Sequence, residues 1–216
     1  MSEMGSAVTR NSLLLAGFAV LTAVLVASTF LGTKDRISAA QRAAEEKALL
    51  EIIPRDTHDN SMLDDRLPAP VNEPLLQLTE ERSIYIARQN GRATAAVIPA
   101  LAPDGYSGGI EMIVGVKRDG SVAGVRILSH RETPGLGDAI DHRKSDWVED
   151  FRGRTLEDPK AEAWTVRKDG GAFDQFTGAT ITPRAVVKAT ARALEWVKRN
   201  RAIIFPEPSA DEAPRV

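Results

Sequence analysis

Cysteine is absent from the 216 residues. That excludes disulfides, thiolate metal sites, iron–sulfur clusters held by the protein in the usual way, and a cysteine nucleophile. Histidine is scarce: His58, His130 and His142 lie far apart and lack metal-site spacing, so each reads as a surface or hydrogen-bonded side chain and no metal site is expected. Neither sign of charge is in excess, with a net charge of −2. Without a basic helix or an aromatic RNA-binding motif, no nucleic-acid partner is expected. There is no Walker sequence, no Gly-x-Gly-x-x-Gly with its acidic partner and no Gly-x-Ser-x-Gly elbow, which removes three common catalytic architectures. No internal repeat is visible.

The chain does contain one long apolar run. No charge occurs from Asn11 to Thr33, and Leu13–Leu31 is mostly apolar. As a helix this run would be about 28 Å long, close to the hydrocarbon thickness of a bilayer. A cleaved secretory signal would have a shorter core and a small-x-small site, for which Ala27-Ser28-Thr29-Phe30 is poor. A retained single-span anchor is therefore expected. Arg10 and Glu3 precede the span while Lys34, Arg36, Arg42 and Lys47 follow it. Counting basic residues alone would put the C-terminal part in the cytoplasm, but long domains translocate regardless of nearby charge.

Residues 1–12 read as a short polar tail, 13–33 as the span, and 34–73 as a helical stalk and linker. The stalk helix, over Asp35–Ile53, has Ile37, Ala40, Ala44, Ala48 and Ile52 on one face and is stopped by Pro54. Arg55–Glu73 is polar and contains prolines, as an irregular connection would. A domain follows over 74–205. Ser83–Ala87 and Thr94–Ile98 form one predicted hairpin around Asn90-Gly91, and Ile110–Val116 and Val122–Leu128 form another around Asp119-Gly120. Asp146–Phe151 predicts a short helix capped by Ser145, with Trp147 and Phe151 on one face. Ala163–Arg167 and Phe173–Phe176 suggest a third hairpin. The fold class is α+β, an antiparallel sheet covered by helices. The proline-containing acidic tail, 206–216, is expected to be disordered.

Two loops look chemically distinctive. Asp174-Gln175-Phe176-Thr177-Gly178-Ala179-Thr180-Ile181-Thr182-Pro183 leads from a strand-like segment into a helix. Thr182 reads as the N-cap and Pro183 as the first helical residue, with Ala185, Val186, Ala189, Ala193, Leu194 and Val197 at helical spacing over about 15 residues. The loop before such a helix offers free amides and a positive dipole end, which suit a phosphate; an ordinary capping turn has the same pattern. The second loop is His130-Arg131-Glu132-Thr133-Pro134-Gly135-Leu136-Gly137-Asp138, a Pro-Gly turn that exposes backbone polar groups. Such a loop suits the polar edge of a planar ring; the plain alternative is a strand-ending turn. Tyr106, within Gly105-Tyr106-Ser107-Gly108, reads equally as a ligand cover or a packing residue.

Together these stretches resemble a known family. Asp174-x-x-Thr177-Gly178-Ala179-Thr180 is similar to the flavinylation motif of FMN-binding domains whose FMN is esterified through its phosphate to the last threonine. Many members have Ser where Thr177 stands, so the hydroxyl is kept. The Glu132–Gly137 loop, the Gly105–Gly108 segment and the single span resemble the G subunit of the Rnf (Rsx) ion-translocating electron-transport complex. The C subunit of the sodium-pumping NADH:quinone oxidoreductase is a relative.

The resemblance implies FMN as cofactor, joined covalently to Thr180 by a flavin transferase that uses FAD and Mg²⁺. It implies recognition or positioning roles for Asp174 and Thr177, and contacts from Gly178, Ala179 and Thr182. A ring pocket is expected from Glu132, Thr133, Gly135, Leu136, Gly137 and Tyr106, with Trp147 or Phe151 beside them. The implied partners are the A, B, C, D and E subunits of the complex, and the implied location is the bacterial inner membrane with the FMN domain in the periplasm. Thr180 has no adjacent base in the sequence and does not read as a self-activated nucleophile. The expected function is electron relay in a translocase coupling ferredoxin or NADH oxidation to Na⁺ or H⁺ transport, with no catalysis of the overall reaction by this chain alone. The alternatives are a stand-alone flavin reductase, which would need a substrate domain that nothing after Phe205 is long enough to supply, and a redox-silent anchor or assembly subunit.

Overall fold

The computed structural model describes residues 2–207, with side chains from Arg10 onward. The chain divides into two compact units, Met1–Glu45 and Glu46–Val216. Helix α1 (Ser2–Ile52) makes up most of the first and has no break at residue 12 or 33. Its apolar side chains between Leu13 and Leu31 are exposed, Leu15 at 77% and Phe18 at 71%. The helix is long and apolar enough to cross a membrane. Thr22, Thr29 and Thr33 donate their hydroxyls to the carbonyls of Phe18, Leu25 and Thr29, each at 2.8 Å. Each hydroxyl is thereby satisfied within the helix itself.

The second unit is built on an antiparallel meander in which neighbours in sequence are neighbours in space. Its strands are β1 (Arg66–Pro68), β2 (Ser83–Gln89), β3 (Arg92–Ala102), β4 (Ile110–Lys117) and β5 (Val122–Ser129), in the order β1-β2-β3-β4-β5. Asn90 and Gly91 both take positive φ, 51° and 78°. A two-residue type I′ turn requires that, and its twist matches the strands it joins. The expected hairpins at Asn90-Gly91 and Asp119-Gly120 are both present. Strand β1 lies inside the segment read as an irregular linker.

Both faces of the sheet are covered. On one, helix α2 (Ile181–Arg199) buries Ala185, Val186, Ala189, Ala193, Leu194 and Val197 in a core with Ile98, Met112 and Val114. On the other, Leu49 and Ile52 from the last turns of α1 join Met62, Leu63, Tyr85, Val97, Ile113 and Ala123. The apolar alternation of Ile110–Val116 therefore does not divide core from solvent, because Ile113 on the opposite face is buried too. Gly115 pairs with Gly124 across β4 and β5. A Cβ on Gly115 would lie 2.1 Å from Ile52 Cγ2, so the end of α1 seats where the sheet has no side chain. An ion cluster seals this side: buried Arg126 meets Glu51 at 3.3 Å and Glu149 at 2.9 Å.

Two local expectations change, and a third falls mostly on residues outside those described. The third hairpin does not form: Val166 and Phe173 make a single bridge of parallel type, and 3-10 turns at Ala161–Ala163 and Arg167–Asp169 occupy the rest. The left-handed Gly170 (φ 86°) closes one such turn, a geometry suited to winding the chain and not to pairing two strands. The segment Trp147–Phe151 is a 3-10 helix, with Ser145 Oγ accepting the Trp147 amide at 3.2 Å. Phe151 is fully buried against Trp164 and Phe173, and Trp147 meets Phe151 and Phe176 edge-on at 5.2 Å each. At the C-terminus, α3 (Arg201–Ile204) leads to buried Phe205, and Arg118 meets Glu207 at 2.7 Å. The tail read as disordered from 206 lies mostly outside the described residues.

Candidate functional site

A cleft of about 370 Å³ opens where α2 begins. Its lining comprises Tyr106, Glu132, Thr133, Leu136, Gly137, Gly178, Ala179, Thr180, Ile181 and Thr182. Three segments far apart in sequence thus converge: the loop after β3, the loop after β5, and the turn entering α2. The volume lies within the roughly 300–1,000 Å³ of small-molecule sites.

The turn entering α2 is shaped by Gly178. Ala179 N donates to Phe176 O at 3.1 Å, and Gly178, at the third position of that turn, has φ 81°. A positive φ there favours glycine. Thr180 is the residue that caps α2, and no side chain caps the helix end. This corrects the expectation that Thr182 is the cap. Thr182 lies inside the first turn, 1% exposed, and its hydroxyl donates a short hydrogen bond to Glu132 Oε2. As an N-cap that hydroxyl would accept a backbone amide; here it is turned inward and donates to a buried carboxylate. Pro183 stays within the first turn, where a missing amide hydrogen costs no helical bond.

Glu132 joins the three segments. Its other oxygen, Oε1, accepts the Ser107 amide at 2.9 Å. Two glycines make room for the same carboxylate: a Cβ on Gly105 would lie 2.9 Å from Oε1, and one on Gly137 would lie 2.9 Å from Oε2 and 2.8 Å from Thr182 Oγ1. The loop Thr133–Asp138 is closed on itself. Gly135 (φ 77°) donates its amide to Asp138 Oδ1 at 2.7 Å, and Leu136 N donates to Thr133 O at 3.1 Å. This closure turns Leu136 outward, 44% exposed, and a Cβ on Gly178 would lie 3.5 Å from it. Tyr106 (69%) and Ile181 (44%) complete an exposed apolar rim.

Nine of the twelve cofactor residues expected from the sequence line the cleft, and three do not. Gly135 shapes the loop behind Leu136. Thr177 is exposed on the turn. Asp174 pairs its carboxylate with Arg167 at 2.9 Å and accepts Trp147 Nε1 on its carbonyl at 2.8 Å. Trp147 and Phe151, expected beside the ring, are core residues; Trp147 instead props the segment that carries Asp174. Ile181 was missed because it sits within the Thr-Ile-Thr-Pro stretch read as a cap. Its signal was an apolar residue outside the buried stripe of α2.

These residues fit a flavin mononucleotide. The cleft has an apolar rim for a planar ring, a helix end with amides and a positive dipole for a phosphate, and a hydroxyl at the helix cap. Among the described residues no cluster of His, Asp and Glu is arranged for a metal ion.

The chain resembles known proteins over almost its whole length. A family model of the FMN-binding domain matches residues 105–195, and one of the RnfG N-terminal region matches residues 1–52. The G subunit of the ion-translocating oxidoreductase complex of Pseudomonas aeruginosa (strain UCBPP-PA14) is 48% identical over 202 residues, covering 93% of this chain and 94% of that one. Its counterpart from Vibrio atlanticus (strain LGP32) is 46% identical over 205 residues, covering 95% and 97%. The crystal structure of Shewanella oneidensis NqrC superposes with a TM-score of 0.45 at 20% identity, over 65% of this chain and 75% of that one.

Proposed function

Because this chain belongs to the family of G subunits of ion-translocating oxidoreductase complexes, we propose that it carries FMN covalently on Thr180 and relays electrons between neighbouring redox centres of an Rnf-type complex. The observation that carries this reading is the position of Thr180, a hydroxyl at the cap of a 19-residue helix and in the wall of a cleft with an apolar rim. When bound, FMN supplies the electron uptake and release. The chain's own residues orient and hold it. The first turn of α2 would offer amides and a positive end to the phosphate, and Leu136, Ile181 and Tyr106, the apolar rim of the cleft, would hold the ring and shield it from water.

Among the described residues, the carboxylates of the cleft and its motif are engaged elsewhere and not offered to the Thr180 hydroxyl as a base. Glu132 is occupied by Ser107 and Thr182, and Asp174 by Arg167. As the resemblance to the family implies, attachment falls to a flavin transferase using FAD and Mg²⁺, and the Asp174–Gly178 segment is the surface such an enzyme would read. The working division of the chain is a tail over 1–12, an inner-membrane span over 13–33, a stalk and linker over 34–73, the FMN domain over 74–205 in the periplasm, and a tail over 206–216. The A, B, C, D and E subunits are its partners, and it serves their translocase as a relay without catalysing the overall reaction alone.

The test is denaturing-gel fluorescence of the full chain after co-expression with a flavin transferase. The wild type should give a fluorescent band that Thr180→Val lacks. A wild-type chain with no band under flavinylating conditions would sink the proposal. For the location, external protease added to spheroplasts should digest the domain; its protection would overturn the periplasmic reading.

A further inference from the structure

Glu132 is a carboxylate with only 4% of its surface exposed, in the wall of the cleft. Its two oxygens accept hydrogen bonds from neutral groups, the Ser107 amide and the Thr182 hydroxyl. Several other carboxylates of the second unit have cations instead: Asp141 has Arg143, Glu149 has Arg126 and Arg152, and Asp174 has Arg167, whereas Asp138 in the same loop, like Glu132, accepts a backbone amide. Among the described residues Glu132 has no ion pair. A full charge held by hydrogen bonds alone is costly to bury. A neutral glutamine has the same reach and could bond both the amide and the hydroxyl. The scaffold alone therefore does not require a charge at this position.

We propose that Glu132 is a positioning residue that also acts electrostatically, and that its fixed negative charge lowers the reduction potential of the FMN held in the cleft. This rests on the reading that the cleft takes FMN. Adding an electron to a flavin adds negative charge, and a fixed anion in a poorly hydrated wall opposes it more strongly than the same anion in water would. The two hydrogen bonds keep that anion in one place. They tie the loop at 105–109 to the first turn of α2, two residues from Thr180. Gly105 and Gly137 leave the space it needs. The first turn of α2 thus has the Glu132 carboxylate against it, and its positive end would also suit the phosphate of a bound FMN.

The experiment compares full-length wild type, Glu132→Gln and Glu132→Asp, each co-expressed with a flavin transferase. Covalent loading is read by denaturing-gel fluorescence, folding by thermal melting of the unloaded protein, and potential by spectroscopic redox titration. Glu132→Gln should load as wild type does, melt close to it, and titrate at a higher, less negative potential. Glu132→Asp keeps the charge but is too short to reach both partners, so it should melt lower without the upward shift in potential. An unshifted Glu132→Gln, or equal shifts in Gln and Asp, would overturn the proposal. Loss of loading in a folded Glu132→Gln would overturn it too, since the charge would then serve attachment. If Glu132→Gln does not fold, Thr182→Val removes one of the two bonds that hold and favour the anion; it should shift the potential upward, and an unshifted potential in the folded variant would contradict the account. A wild type indistinguishable from Thr180→Val on the gel would instead sink the reading of the cleft itself.

Discussion

The two faces of the sheet are sealed in different ways. On the α1 side the contact is tight and apolar: Ile52 sits in a gap left by paired glycines, and Arg126 clamps Glu51 and Glu149 around it. On the α2 side the body of the helix is equally well packed, but its first turn is held by one buried polar link, Glu132 to Thr182, beside an open cleft. The first arrangement suits a contact that only holds the fold together. The second suits a site that must admit a cofactor and keep its atoms in register. Stability and function therefore separate by face, and substitutions should separate them too.

The largest effect on stability is expected on the α1 side. Ile52→Ala leaves a cavity under Gly115 and should cost about 2–5 kcal/mol, read as a fall in melting temperature, with covalent flavin retained in the folded fraction. Gly115→Ala forces a Cβ into Ile52 and should cost about 1–3 kcal/mol by overpacking. Loss of flavin loading in either variant at a temperature where it is folded would break the separation. On the α2 side, Gly137→Ala crowds both Glu132 and Thr182. It should reduce flavin loading with a smaller drop in melting temperature than Gly115→Ala. Leu136→Asp should leave attachment largely intact and alter the flavin spectrum or potential; an unchanged spectrum and titration would remove the 132–137 loop from the ring pocket.

The smallest expected effect is in acid. A hydrogen bond from Arg143 holds the Asp141 carboxyl down at about 2, below its ordinary 3.8. Because the folded value is the lower one, the stabilisation is present above 3.8 and is lost as pH falls toward 2. Arg143 is 83% exposed on its side chain, so the contribution is small. Arg143→Ala should lower stability slightly at neutral pH and converge with wild type near pH 2; a difference that grows in acid would contradict the assignment.

What the sequence revealed follows from the range of the forces involved. Asn90-Gly91 and Asp119-Gly120 specify turns within a few residues, so both hairpins were readable. The stripe from Ala185 to Val197 foretold α2, although the helix begins at Ile181 and runs 19 residues. Strand β1 was not readable, since three residues ending in proline carry no period and pair only because β2 is there. The buried stack of Phe151, Trp164 and Phe173 left only a suggestion of helix and hairpin, because contacts between distant rings leave no local pattern. At the site, most of the lining residues could be named from two loops and a motif. Their connection through Glu132 could not, because the bond to Thr182 spans 50 positions and is made by folding alone.

The central claim is a covalent bond at Thr180, and mass spectrometry of the peptide that contains it tests this most directly. Purified from cells supplying a flavin transferase, the full chain should yield that peptide heavier by one FMN less one water, with fragmentation placing the addition on Thr180 and no addition in Thr180→Val. An unmodified peptide, or an addition mapped to Thr177 or Thr182, would contradict the account.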